Sequence, residues 1–217
     1  MSIHVKGAVL PDGSNRDLFI DNGTFVEALE KTPTTVIDAS GLLALPGRVD
    51  LHTHLREPGF EQSETVRTGS RAAAAGGYTA VFAMANTMPV QDTAGVVEQV
   101  QSLGERHGYV TVRPIGAVTA GLAGERLAEI GAMAQSRAQV RVFSDDGHCV
   151  HDALLMRRAL EYVKTFGGVV AQHAQEPRLT VGAQLNEGAL SGELGLVGWP
   201  AVAEESIQGL GNVIWII

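Results

Sequence analysis

Two histidines one residue apart, His52 and His54, are the first pair in the chain whose spacing could do chemistry. On an extended strand side chains alternate with period two, so both imidazoles share one face, with Cβ atoms about 6–7 Å apart. That span lets two ring nitrogens meet on one cation at about 2.0–2.1 Å. Asp146 is the natural third ligand, because a cation of borderline softness accepts imidazole together with carboxylate, and a carboxylate can bridge two ions. In Asp145-Asp146-Gly147 two readings hold at once: Asp145 turns the loop and Asp146 faces inward. His173 is the fourth candidate. Arg56, two residues past His54, offers a planar guanidinium suited to a carboxylate, and Asn86 can supplement that grip. Together these types point to metal-assisted hydrolysis of an acidic substrate. Such a reaction also needs a general acid/base for the leaving nitrogen, and no residue of this set is a convincing one. His148 and His151 read as surface or helix-start residues, His4 and His107 lie far from the set, and Cys149 reads as inert.

Among seven histidines an isolated H-x-H pair is unremarkable, so its weight depends on the elements that carry it. From Leu45 onward the pattern alternates strand and helix. Arg48–Leu51 reads as a strand, Ser63–Ala75 as a helix capped by Ser63, and Tyr78–Met84 as a strand. Thr93–Arg106 is a helix, Val110–Val118 a strand, and Ala123–Arg137 a helix. Gln139–Phe143 is a strand, Asp152–Phe166 a helix and Val169–Gln172 a strand. Strands apolar enough to be buried on both faces, with helical crossovers, predict a parallel α/β sheet. In such folds reactive side chains sit just past the carboxyl ends of strands. His52 and His54, Asn86, Asp146 and His173 all fall there. Residues 1–45 read differently, as short strands with turns at Pro11-Asp12-Gly13 and Asp21-Asn22-Gly23, and predict a small antiparallel module.

Composition narrows the class. Lys and Arg number 16 against 24 Asp and Glu, a net charge of −8, which argues against nucleic acid as a partner. Hydrophobic residues at 45% suffice for a core, and aromatics at 5% mean that it is built from Ala, Val, Leu and Ile. A single cysteine fits a reducing compartment, and neither a secretory signal nor a membrane span is read, so the expectation is a soluble cytoplasmic protein.

The stretches LPGRVDLHTHLREPGFEQSETVRTGSRAAAAGGYTAVFAMANT, VRVFSDDGH, VVAQHAQEPRLT and LNEG strongly resemble the class I dihydroorotases of the amidohydrolase superfamily, over roughly residues 42–206. The resemblance implies an α/β fold: a (β/α)8 TIM-type barrel, with about five βα units present, beside a small β-sandwich. Residues 1–45 would give the N-terminal part of the sandwich, 46–207 the first portion of the barrel, and 208–217 an atypical tail. It implies Zn2+, one or two ions, on His52, His54, Asp146 and His173, with His54, Arg56 and Asn86 on the substrate. The implied reaction is the reversible cyclisation of N-carbamoyl-L-aspartate to L-dihydroorotate in pyrimidine biosynthesis.

Other cyclic amidases of the superfamily (dihydropyrimidinase, hydantoinase, allantoinase) carry a carboxylated lysine where Asp146 stands, which disfavours them here. A second alternative is a non-catalytic, dihydroorotase-like partner of aspartate carbamoyltransferase; intact candidate ligands disfavour it. The family's further histidine ligand and its catalytic aspartate belong after strands six and eight, so no catalytic acid/base is assigned within this chain. From Gln208 the text QGLGNVIWII departs from the family pattern, and the expectation is a truncated or frameshifted product. Five barrel strands leave two edges unpaired, so poor folding and little turnover are expected of it.

Overall fold

The computed structural model describes residues 1–209 and 214–216, and the chain divides into two compact units, Met1–Gly47 and Arg48–Ile217. In the first, β1 (Ser2–Val9), β2 (Asn15–Asp21), β3 (Thr24–Val26) and β4 (Thr35–Asp38) form one sheet in the order β3-β2-β1-β4. The β1–β2 turn is closed by the Asp12 carboxylate, which accepts from the Ser14 amide at 2.9 Å. Asn22 and Gly23 link β2 to β3 with φ of 49° and 81°, the left-handed pair that a tight two-residue hairpin requires. The sheet is mixed, not antiparallel as expected. β4 returns to the free edge of β1 running parallel to it, pairing Ile3 with Thr35 through Lys6 with Asp38. After β4, the only further pairing of this stretch among the described residues is a single bridge, Val9 with Leu43.

The second unit alternates strand and helix: β5 (Arg48–Thr53), α1 (Val66–Ala75), β6 (Tyr78–Ala83), α2 (Ala94–His107), β7 (Thr111–Pro114), α3 (Ile130–Gln135), β8 (Val142–Phe143), α4 (Ala153–Lys164) and β9 (Val169–His173). There follow β10 (Leu185–Asn186), α5 (Ala189–Leu194), β11 (Gly198–Trp199), α6 (Val202–Gln208) and β12 (Ile214–Ile216). β5–β6, β6–β7, β8–β9 and β9–β12 are parallel pairs. A parallel bridge between Gly116 and Phe143 carries the array from β7 to β8, with Gly116 N donating to Val142 O at 3.1 Å and Ser144 N to Gly116 O at 2.8 Å. Strand order therefore follows chain order, as barrel-type winding requires and a doubly wound sheet does not.

Several boundaries differ from the expected ones for local reasons. α1 starts at Val66, where the Thr65 hydroxyl accepts from the Thr68 amide, and not at Ser63. α3 is confined to Ile130–Gln135 instead of 123–137, because Gly124 takes a φ of 70°, Glu129 a non-helical ψ of 53° and Ser136 an extended ψ of 172°. β8 is cut back to Val142–Phe143 after Gln139 turns with φ of 48°. Of the expected atypical tail, Gln208 closes α6, Ile214–Ile216 pairs with β9, and residues 210–213 and 217 lie outside the described residues.

The core follows the composition. One cluster gathers Val97, Ile130, Met133, Phe143, Met156 and Val163 between α2, α3, α4 and the β7–β8 region. A second joins Val66, Val81, Val100 and Val112 beneath α1 and α2. Asp152 caps α4 by accepting from the Leu155 amide at 2.7 Å, which sets that helix against β9. No described helix is long and apolar enough to cross a membrane.

Candidate metal centre

Four strand ends converge on the site. At the end of β5, the Thr53 hydroxyl donates to Phe82 O at 2.8 Å and Met84 N donates to Thr53 O at 2.9 Å, so β5 and β6 are fixed where their loops begin. His52 is the penultimate residue of that strand and His54 directly follows its end. The Asp50 carboxylate accepts from the His52 amide at 3.0 Å. Arg56, with φ of 62°, lies in a turn closed by a bond from Phe60 N to its own carbonyl at 3.1 Å.

The tandem after β8 is split as its two readings required. Asp145 is almost completely buried and turns away from the histidines, accepting from Val118 N at 2.7 Å, from Thr119 N at 3.0 Å and from the Thr119 hydroxyl. Burial pushes its carboxyl above the usual range, while the Thr119 and Val118 donors pull the other way. Asp146 therefore faces the opposite side, its amide donating to Ser144 Oγ at 3.1 Å.

His52 Nε2, His54 Nε2 and Asp146 Oδ2 form a nearly equilateral triangle with sides of 3.2, 3.1 and 3.4 Å. A tetrahedral ion with ligands at about 2.0–2.1 Å has donor–donor edges of about 3.3 Å, so this triangle has the dimensions of one face. Two ring nitrogens and one carboxylate also match the chemistry of a borderline divalent cation. The residues fit the group. His173, the last residue of β9, stands at the margin: its Nδ1 is 3.9 Å from Asp146 Oδ1, the other carboxylate oxygen. The two oxygens of Asp146 thus face different histidines.

Asn86 is placed differently from the simple expectation of a group free to take substrate. Its Oδ1 lies 3.1 Å from His54 Nδ1. Its loop is tied by Gln91, which is fully buried and donates from Nε2 to Met84 O at 2.7 Å. Gln175 was not singled out by sequence reasoning, yet its Oε1 lies 2.8 Å from His173 Nε2. Nor was Thr119, which anchors Asp145. Neither belongs to a motif with chemistry of its own, and only the fold brings them to the site. Burial pushes the Cys149 thiol pKa up. Past His173, a cavity of about 470 Å³ is lined by Gln175, Asn186, Glu187, Trp199 and Glu204.

Comparison with known proteins bears on this geometry. The family described as Dihydro-orotase-like matches residues 41–209. The chain is 75% identical over 206 residues to a dihydroorotase of Leifsonia xyli subsp. xyli, covering 94% of this chain and 47% of that relative. It is 67% identical over 207 residues to a dihydroorotase of Streptomyces coelicolor, covering 94% and 48%. A third, from Mycobacterium tuberculosis, is 56% identical over 214 residues, covering 95% and 49%. The chain thus spans about half the length of these curated relatives. Among solved structures, an L-hydantoinase from Arthrobacter aurescens superposes with a TM-score of 0.69 at 20% identity, covering 82% of this chain and 42% of that one. A dihydroorotase crystal structure gives a TM-score of 0.56 at 12% identity over 96% and 62% of the two chains. At such identities the likeness is one of fold.

Proposed function

The chain belongs to the dihydro-orotase-like family, and from that premise we propose that it carries most of the metal centre of a dihydroorotase. The reaction is the reversible cyclisation of N-carbamoyl-L-aspartate to L-dihydroorotate, a step in making pyrimidines. The observation that carries this reading is the triangle of His52, His54 and Asp146 at 3.1–3.4 Å. His52, His54 and Asp146 would hold a zinc ion, and His173 with Asp146 Oδ1 would extend the site to a second. When bound, the ion supplies Lewis acidity: it acidifies water and polarises a carbonyl.

The chain's own residues do the rest that can be derived. Arg56 offers a fixed fork for the substrate carboxylate. Asn86 has Oδ1 engaged by His54 and keeps its NH2 for the same carboxylate. His54 would hold the ion and would also meet the substrate. The oxygens of Asp145 are taken by Val118 and Thr119, which supports Asp146 as the ligand of the pair. In the hydrolytic direction the ring amide C–N bond breaks, a C–O bond forms and the nitrogen gains a proton. The assigned residues do not include the acid that delivers it, so we expect little turnover from the 217-residue chain alone. In the whole protein we place a closed eight-stranded barrel, a completed sandwich and a cytoplasmic location, with association to aspartate carbamoyltransferase as a family-level expectation.

Zinc titration by chelator competition tests this directly. Stoichiometric binding that is abolished in Asp146→Ala and His52→Ala is expected. With the coding sequence extended to the length of the relatives, zinc-dependent hydrolysis of dihydroorotate should exceed that of dihydrouracil and hydantoin. Preference for either of the latter would transfer the chain to another cyclic amidase.

A further inference from the structure

Arg56 and Asn86 stand on separate loops, and two groups grip one carboxylate only if their separation is fixed. The backbone of Arg56 has φ of 62°, a region that a non-glycine residue adopts only where its surroundings impose it. Three contacts impose it here. Before Arg56, the buried Leu55 packs on α1 at Gly69, where an added Cβ would stand 2.6 Å from Leu55 Cδ2. After it, the Glu57 carboxylate accepts at 2.8 Å from the amide of Val66, the first residue of α1. A carboxylate suits that end of a helix, where amides lack intrahelical partners and the dipole is positive. Further on, the loop after β5 lies against the loop after β6. Met88 N donates to Pro58 O at 2.9 Å, and Gly59 beside it takes φ of 102°. A Cβ on Gly59 would run into Met88 O and stand 2.5 Å from Met88 Cβ, so conformation and space both require glycine. Asn86 lies two residues before Met88, on a loop that the buried Thr87 fastens by donating its hydroxyl to Pro89 O at 2.8 Å.

We propose that Glu57 and Gly59 are positioning residues for carboxylate recognition: by seating the loop after β5 on α1 and on Met88, they hold Arg56 at a fixed separation from Asn86. The inference rests on reading Arg56 and Asn86 as the carboxylate grip of a dihydroorotase. Neither positioning residue offers the carboxylate a group of its own, since Glu57 has the same charge and Gly59 has no side chain. Their roles differ. Glu57 ties the loop to its own helix, whereas Gly59 allows the two loops to meet backbone to backbone.

The variants are read in the protein extended to the length of the relatives, with dihydroorotate as substrate. Gly59→Ala should raise KM about 10- to 100-fold, because a grip displaced by about 1 Å is largely lost. Its kcat and zinc content should stay within about twofold of wild type. Glu57→Ala should raise KM in the same direction, and Glu57→Gln, whose amide oxygen still accepts from Val66 N, should restore it. A merely structural role would lower the melting temperature and the active fraction and leave KM unmoved. Amide hydrogen exchange on the 217-residue chain reads the contact itself: the Met88 amide should be protected, and should exchange at least about tenfold faster in Gly59→Ala. Wild-type KM in both alanine variants, a fall in kcat at unchanged KM, or unchanged Met88 protection in Gly59→Ala would overturn the proposal. A wild type that binds zinc yet hydrolyses no dihydroorotate would sink the functional reading and the positioning role with it, while Met88 protection would still decide the contact between the loops.

Discussion

At the scale of single residues, the tandem Asp145-Asp146 shows how one dipeptide divides structure from chemistry. Asp145 takes two backbone amides and one hydroxyl from the loop after β7, all buried. Asp146 takes only its own amide's bond to Ser144 locally and leaves both carboxylate oxygens to the histidines. The two alanine variants should therefore fail in different ways. Asp145→Ala strands the amides of Val118 and Thr119 in the interior, at a cost of about 2–4 kcal/mol. A lowered urea midpoint at unchanged slope would report it. Asp146→Ala should leave the midpoint of the metal-free chain within about 0.5 kcal/mol, since no buried donor loses its partner, while zinc binding is lost. Equal midpoints for Asp145→Ala and the wild type would remove Asp145 from its structural role.

At the scale of elements, the sequence was most readable where burial and periodicity agree. α2 was expected at Thr93–Arg106 and spans Ala94–His107, and α4, expected at Asp152–Phe166, spans Ala153–Lys164 with Asp152 as its cap. The candidate ligands were readable because each lies at or just past a strand end. What was not readable depends on backbone that the residue type does not betray. Leu122 and Gln139 adopt left-handed φ ahead of α3 and β8, both of which start later than expected. Gln175 and Thr119 act through contacts that no periodicity encodes. Gly104 and Gly95 both lie in α2, and their environments separate two meanings of glycine. A Cβ on Gly104 would stand 2.6 Å from Val112 Cβ, whereas one on Gly95 meets nothing within 4 Å. Gly104→Ala should wedge α2 from β7 and cost about 1–3 kcal/mol. Gly95→Ala should raise stability slightly, by up to about 1 kcal/mol, through a stiffer unfolded chain and better helix propensity. Thermal unfolding of the pair decides it: a shared sign of the two shifts would contradict the packing of α2 on β7.

At the scale of the whole molecule, the inner and outer faces of β5 carry opposite consequences. Asp50 and His52 lie on one face, toward the metal centre, and Val49 and Leu51 alternate to the other, where each is 52% exposed. Among the described residues β5 pairs with one strand only, β6, so its second edge of backbone donors and acceptors is open. Val181 at 76% and Val197 at 54% exposed add apolar surface in the stretch after β9. An open parallel edge beside an uncovered apolar face is a template for pairing with another chain. The 217-residue chain should therefore self-associate with rising concentration and bind a hydrophobic dye. Val49→Lys with Leu51→Lys should shift it toward monomer, because lysines on an edge strand oppose pairing and remove the apolar face together. His52 points the other way, so zinc stoichiometry per chain should survive the double substitution. Sedimentation velocity across a hundredfold concentration range makes the comparison. A wild-type chain that stays monomeric throughout and binds no dye would show that this face is covered within one molecule.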